Sequence, residues 1–152
     1  MALYLEFDRI VRGFARAKVR YAVAGGFAVG LHGYVRATQD MDFLVHDDDL
    51  PKAEATLTRL KYRANPDVQE LAQAGLTLKR FFKRLPKEDD LMAVDLIIPR
   101  TARMQGVLRR AIRVPYRRGM LSVVTARDLV AMKRLRGSAL DKADIEFLSK
   151  RR

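Results

Sequence analysis

The sequence predicts one α+β domain over residues 1–152: a small mixed sheet flanked by helices, with a core of about 21–125 and C-terminal helices over about 126–150. Three observations carry that expectation. Apolar residues recur at helical spacing near both ends of the chain, whereas short apolar runs bounded by turn residues fill the middle. At 152 residues, 49% of them hydrophobic, the chain is long enough for one real core and too apolar for global disorder. No internal repeat, linker or low-complexity segment divides it.

The elements follow in order. Leu5 to Ala17 places Phe7, Ile10, Val11 and Phe14 on one helical face. Tyr21 to Ala24 reads as a short buried strand broken by Gly25 and Gly26, and Phe27 to Leu31 as a short helix ended by Gly33. Asp42 to Val45 is the second strand. Asp48 and Asp49 stand where they can cap a helix with Pro51 in its first turn, running to about Leu60. Val68 to Ala74 reads as a further short helix. Leu76 to Leu85 and Leu91 to Ile98 form an expected antiparallel pair across a charged turn containing Pro86. Ala102 to Ala111 is an expected helix with a basic face, and Ile112 to Tyr116 and Leu121 to Val124 are short strands around Gly119. Thr125 with Asp128 makes a capping-box start for a helix reaching about Arg136 and stopping at Gly137. Ser138 with Asp141 repeats that start before a last helix reaching Leu148.

Composition narrows the chemistry. There is no cysteine, which excludes disulfides, zinc–thiolate sites and cysteine nucleophiles. The opening MALYLEFDRI lacks a basic-then-apolar signal layout, and no apolar run approaches the roughly 18 residues of a membrane span. A cytoplasmic protein without membrane partners is the expectation. Thirty Lys and Arg against 18 Asp and Glu give a net charge of +12, which favours anionic partners, nucleic acid foremost.

The scarce carboxylates are concentrated. Asp40 and Asp42 alternate with Thr38, so a strand there turns both acids to one face. Carboxylates that close repel unless a cation lies between them. Asp95 interrupts the apolar run MAVDLII, where burying an acid is costly without a metal, a Lys or an Arg as partner. Asp95 beside Asp40 and Asp42 on neighbouring strands would make an oxygen-rich site suited to Mg²⁺; otherwise Asp95 sits at a strand end facing water. Gly25-Gly26 ahead of a short helix suits phosphate, because free N–H groups and missing side chains permit close approach. Arg36 could meet a phosphate. Lys133 shares a helix face with Leu129 and Val130, so it either snorkels past the core or reaches a triphosphate in a cleft. Asp141 and Asp144 could each orient Lys133 or accept a proton, and Asp141 could simply cap its helix. His32 reads as structural. The run Lys79 to Arg84 reads either as a nucleic-acid contact or as an edge strand, and Arg109, Arg110, Arg113, Arg117 and Arg118 as a solvated basic surface.

These residues resemble a known group. G-G-x(11)-T-x-D-x-D, here Gly25, Gly26, Thr38, Asp40 and Asp42, with Asp95 in a later V-D-L strand, is similar to the DNA polymerase beta-like nucleotidyltransferase superfamily. The stretch from Ser122 to Leu148 resembles a small bacterial branch related to abortive-infection (type IV toxin) nucleotidyltransferases. The resemblance implies a polymerase beta-like fold and a transfer of a nucleoside monophosphate from a nucleoside triphosphate, using two Mg²⁺ or Mn²⁺ ions. Asp40 and Asp42 would hold both ions and Asp95 one of them. Gly25, Gly26, Arg36, Thr38 and Lys133 would bind the nucleotide, and Asp141 or Asp144 would complete the site.

For function, the resemblance leads first to a tRNA-like nucleic-acid or protein acceptor in a toxin–antitoxin or phage-defence system, with a cognate partner protein. Antibiotic nucleotidylation of the aminoglycoside or lincosamide type is the alternative, ranked lower because a polycationic acceptor suits a +12 protein poorly. A non-catalytic antitoxin or assembly subunit is the third.

Overall fold

The computed structural model describes residues 2–33, 40–86, 91–117, 119–134 and 145–150. Helix α1 (Ala2–Ala17) leads into β1 (Tyr21–Ala24), α2 (Gly25–Leu31) and β2 (Asp40–Val45). A 3₁₀ turn at Asp47–Asp49 opens α3 (Leu50–Arg59). Two short strands follow, β3 (Arg63–Ala64) and β4 (Gln69–Leu71), with a second 3₁₀ turn at Ala72–Ala74. The long strands β5 (Leu76–Arg84) and β6 (Leu91–Pro99) come next. The described chain continues through α4 (Ala102–Arg109), β7 (Ile112–Tyr116), β8 (Gly119–Val123) and α5 (Ala126–Arg134), and residues 145–149 are helical.

The strands join into one mixed sheet in the order β3-β5-β6-β2-β1-β8-β7, with β4 also pairing β5. β2 runs parallel to β6 and β1 parallel to β8; the other pairs are antiparallel. The central strands are apolar on both faces because helices cover much of each. Val94, Leu96 and Ile98 of β6, and Met41, Phe43 and Leu44 of β2, are buried. The amphipathic face of α1 meets Phe43: the Phe7 ring stacks at 5.9 Å and the Phe14 ring meets it edge-on at 5.2 Å. Phe7 also stacks on Phe27 of α2 at 4.3 Å, which ties the short helix to the same core.

Ion pairs fasten the helices to the sheet. Buried Glu6 of α1 accepts hydrogen bonds from Tyr62 Oη at 2.8 Å and Lys83 Nζ at 2.9 Å. Burial alone would raise the Glu6 carboxyl, but the hydrogen bonds from Lys83 and Tyr62 outweigh it and hold the group below its usual range. Lys79 Nζ meets Glu54 of α3 at 2.6 Å.

Asp49 stands at the N-cap of α3 but makes no side-chain cap there. Its carboxylate instead accepts from the Arg20 backbone N–H at 2.9 Å and from Arg20 Nε at 2.8 Å. Hydrogen bonding to Arg20 is the largest cause of a carboxyl held far below its ordinary range. A depressed folded-state pKa contributes stability that is complete above the unfolded value near 3.9 and fades as pH falls toward the folded one. Asp49→Asn is therefore expected to lower the melting temperature at pH 7. The gap to wild type should close as pH is lowered below about 4, which parallel thermal melts would show.

Several local expectations are corrected. Gly25 and Gly26 are the first residues of α2 rather than a break ahead of it. The 68–74 segment is an edge strand and a 3₁₀ turn, not a helix, because β5 offers Gln69–Leu71 a free edge. β5 is an interior strand, paired on both sides, not an edge. Asp128 receives only half of a capping box: Thr125 Oγ1 accepts its backbone N–H at 3.1 Å, while its carboxylate pairs with Arg110. Helix ends expected near Arg136 and Gly137, and the start at Ser138, lie outside the described residues. Among the described residues no helix is long and apolar enough to cross a membrane.

Candidate active site

The register of the sheet assembles the site. β1, β2, β6 and β5 lie side by side, and one row across them reads Ala24, Asp42, Asp95, Arg80. Residues opposite one another in adjacent strands share a face. Asp42 and Asp95 are therefore immediate neighbours, and Asp40, two residues before Asp42, lies on the same face beside the Ala93 position. Asp95 is not at a strand end facing water: it sits mid-strand and is only 4% exposed.

Its partner is Arg80. Nε and Nη2 of the guanidinium each donate to one Asp95 oxygen at 2.7 Å, a two-pronged fork. The same guanidinium lies 4.0 Å from Asp40. Hydrogen bonding to Asp95 is the largest cause of its strongly raised pKa; burial opposes this, and the charges of Asp95, Asp40 and Asp42 add to it. Arg80 thus sits among all three carboxylates. The sequence places it in a run that reads as a nucleic-acid contact or an edge strand. The signal was available in the expected hairpin, whose symmetric pairing sets 80 against 95. Period two then sends Lys79 and Lys83 to the α1 and α3 side and Arg80 to the acids. Of the basic residues in the run from Lys79 to Arg84, Lys79, Arg80 and Lys83 are each engaged in an ion pair.

Gly25 closes the site from the end of β1. Its φ is +62°, a backbone region that favours glycine, and a Cβ there would overlap Oδ2 of Asp42. The backbone at the start of α2 is therefore pressed against the carboxylate that the row centres on. His32 Nε2 lies 2.9 Å from the Val124 carbonyl, linking the end of α2 to the chain after β8.

A cleft of about 650 Å³ opens over this face. Gly25, Asp40, Asp42, Asp95 and Arg80 line one part of it. Leu76, Leu78 and Ile97 of the sheet, Leu129 and Met132 of α5, and the 69–74 segment line the rest. Lys133 also lines the cleft and is 3% exposed, so the helix face shared with Leu129 and Val130 does carry it inward. A larger cleft, about 770 Å³, lies toward the other end of β1 and β6, where Arg20, Arg109 and Arg113 line it. We place the site by the converging carboxylates rather than by size. Of the remaining basic cluster, Arg110 pairs with Asp128 at 2.9 Å and Arg117 with Asp8 at 3.8 Å. Arg36, Thr38, Asp141, Asp144 and Arg118 lie outside the described residues.

The donors suit a hard cation, being carboxylate oxygens on adjacent positions of one face. As the side chains stand, no three His, Asp or Glu among the described residues converge to hold a metal ion. The Arg80 fork engages both oxygens of Asp95. In chemical type, Asp40 and Asp42 suit a divalent cation, and so would Asp95 if Arg80 released it.

No protein-family model and no curated protein matches this chain. Solved structures do. The lincosamide antibiotic adenylyltransferase LnuA, lincomycin-bound, superposes with a TM-score of 0.66 at 16% identity, covering 95% of this chain and 94% of its own. ANT(2")-Ia, in complex with adenylyl-2"-tobramycin, gives a TM-score of 0.61 at 11% identity, over 99% of this chain and 89% of its own. JHP933 from Helicobacter pylori gives 0.59 at 18%, over 98% and 65%. The chain has a nucleotidyltransferase fold. Within that fold the carboxylate row and the Gly25 contact are features of this chain's own geometry.

Proposed function

We propose that the protein is a nucleotidyltransferase that moves a nucleoside monophosphate from a nucleoside triphosphate to a hydroxyl group of a small-molecule acceptor. The observation that carries this reading is the in-register pair Asp42–Asp95 with Gly25 packed on Asp42. It puts acid groups and exposed backbone at one point of a cleft, as phosphoryl chemistry requires.

Asp40 and Asp42, with Asp95, would hold Mg²⁺ or Mn²⁺, two ions in the full site. Such ions supply neutralisation of the triphosphate and of the charge that develops at its α-phosphorus. Gly25 and Gly26 bring the start of α2 close to the triphosphate, and Lys133 adds positive charge from α5. The acceptor oxygen forms a bond to the α-phosphorus as the bond to the bridging oxygen breaks. Pyrophosphate leaves, and the hydroxyl proton passes to a carboxylate oxygen of Asp95. Arg36, Thr38 and Asp141 or Asp144 are proposed as nucleotide-binding residues on the sequence pattern alone.

The acceptor is proposed from the cleft. About 650 Å³ is the size of a small-molecule site, and away from the carboxylates its lining mixes Leu71, Leu76, Leu78, Ile97, Leu129 and Met132 with Gln69, Glu70 and Gln73. Such a lining suits a compact, hydroxylated acceptor with an apolar body. The likeness to a lincosamide adenylyltransferase over nearly the whole of both chains supports the same choice. The second reading, an RNA acceptor in a toxin or phage-defence setting, is favoured by the net charge of +12.

Label transfer tests both. The protein is incubated with Mg²⁺ or Mn²⁺ and each α-labelled triphosphate, offered lincosamides, aminoglycosides, total tRNA or a cell protein extract, beside an Asp40→Ala/Asp42→Ala control. Label on a small hydroxylated acceptor, only with the acids intact, is the expected result. Label on tRNA or protein overturns the small-molecule choice. Bound nucleotide with no transfer to any of them overturns the enzymatic reading in favour of a non-catalytic subunit.

A further inference from the structure

We propose that Arg80 is a resident cation that withholds Asp95, so that the nucleotide-free protein takes one divalent ion at Asp40 and Asp42 and gains a second at Asp95 only when Arg80 lets go. This rests on the metal-dependent reading above and adds to it a control on the number of ions bound.

The geometry of the fork carries the inference. A metal ion at Asp95 needs the carboxylate oxygens that Arg80 already holds at 2.7 Å each. Mg²⁺ sits about 2.0–2.1 Å from its oxygens and tolerates poorly a second positive charge on the same pair. Ion and guanidinium therefore compete for Asp95, because the fork takes a lone pair on each oxygen and sets a positive charge beside those that remain. The two partners also differ in freedom. The Asp95 side chain is 6% exposed and fixed within β6, whereas that of Arg80 is 40% exposed and opens on the cleft. The more exposed member is the arginine, and Asp40, 4.0 Å from it, is a second acid within its reach. Lys79 and Lys83 of β5 do not duplicate it, because they are engaged by Glu54 and Glu6 on the opposite side of the sheet. A triphosphate entering the cleft offers Arg80 another anion, which would couple nucleotide arrival to release of Asp95.

Binding of Mn²⁺ alone, without nucleotide, tests this by the electron paramagnetic resonance signal of the free ion. The proteins compared are wild type, Arg80→Met, Arg80→Lys and Arg80→Met/Asp95→Asn. Wild type should bind one ion, with a second at least about tenfold weaker. Arg80→Met should tighten the second ion by about tenfold or more, Arg80→Lys by less, because an ammonium cannot fork across both oxygens. Adding Asp95→Asn should abolish the gain. Two equally tight ions in wild type, or a second ion unmoved by Arg80→Met, overturns the withholding role while leaving the enzyme reading intact. Should Arg80→Met fail to fold, Arg80→Lys decides by the same criterion. Mn²⁺ bound by none of the proteins overturns this inference and the metal-dependent reading together.

Discussion

Asp42→Asn is expected to stop nucleotidyl transfer, lowering turnover by about 10³-fold or more, with little loss of stability. Asp42 stands at the crossing of two acid pairs. Asp40 precedes it by one period on β2, and Asp95 faces it across the β2–β6 register. Under the proposed function, removing its charge would take away a metal ligand, worth several kcal/mol of charge stabilisation in the transition state. The same removal relieves like-charge repulsion in the folded protein. Function and stability should therefore move apart: a steady-state assay should fall to background while a thermal melt stays within a few degrees of wild type. A variant with near-normal turnover would remove the carboxylate row from the chemistry.

Gly25→Ala should damage both properties together. Alanine at φ +62° costs roughly 1–2 kcal/mol by backbone alone. Its methyl group would also occupy the space of Asp42 Oδ2, so either β2 or the start of α2 must shift. For a chain of this length that backbone cost lowers the melting temperature by roughly 2–8 °C. Transfer should drop by at least about 10²-fold, since displacements near 1 Å at a reacting centre cost that much. Alanine at Gly30, where a Cβ meets nothing, is the matched control and should leave activity near wild type.

The order of strands and helices was largely legible, because period-two and helical patterns in this chain agree with what the core buries. Phe7, Ile10, Val11 and Phe14 mark α1, and the apolar run of β6 marks a central strand. The acids were legible for a related reason: Asp95 within MAVDLII is costly in any fold without a cation nearby. The cation itself was missed because its meaning depends on register, not on composition. Arg80 stands between Lys79 and Phe81 in a run that reads as surface charge, and only the pairing with β6 sends it to Asp95. The 68–74 segment was misread because its residues carry no strong pattern of their own. It becomes a strand where the edge of β5 is available to it. The helix cap expected at Asp49 was lost to a stronger partner, Arg20, 29 residues away.

The edge position of Gln69–Ala74 has a consequence for how this scaffold can diversify. Those six residues form part of the cleft wall, yet β4 is hydrogen-bonded to β5 alone, and the carboxylates stand on β2 and β6. Under the proposed function, one part of the acceptor-facing wall thus lies on a stretch that carries none of the three carboxylates. A graft confined to that segment would reshape that part of the cleft while Asp40, Asp42 and Asp95 keep their positions on β2 and β6.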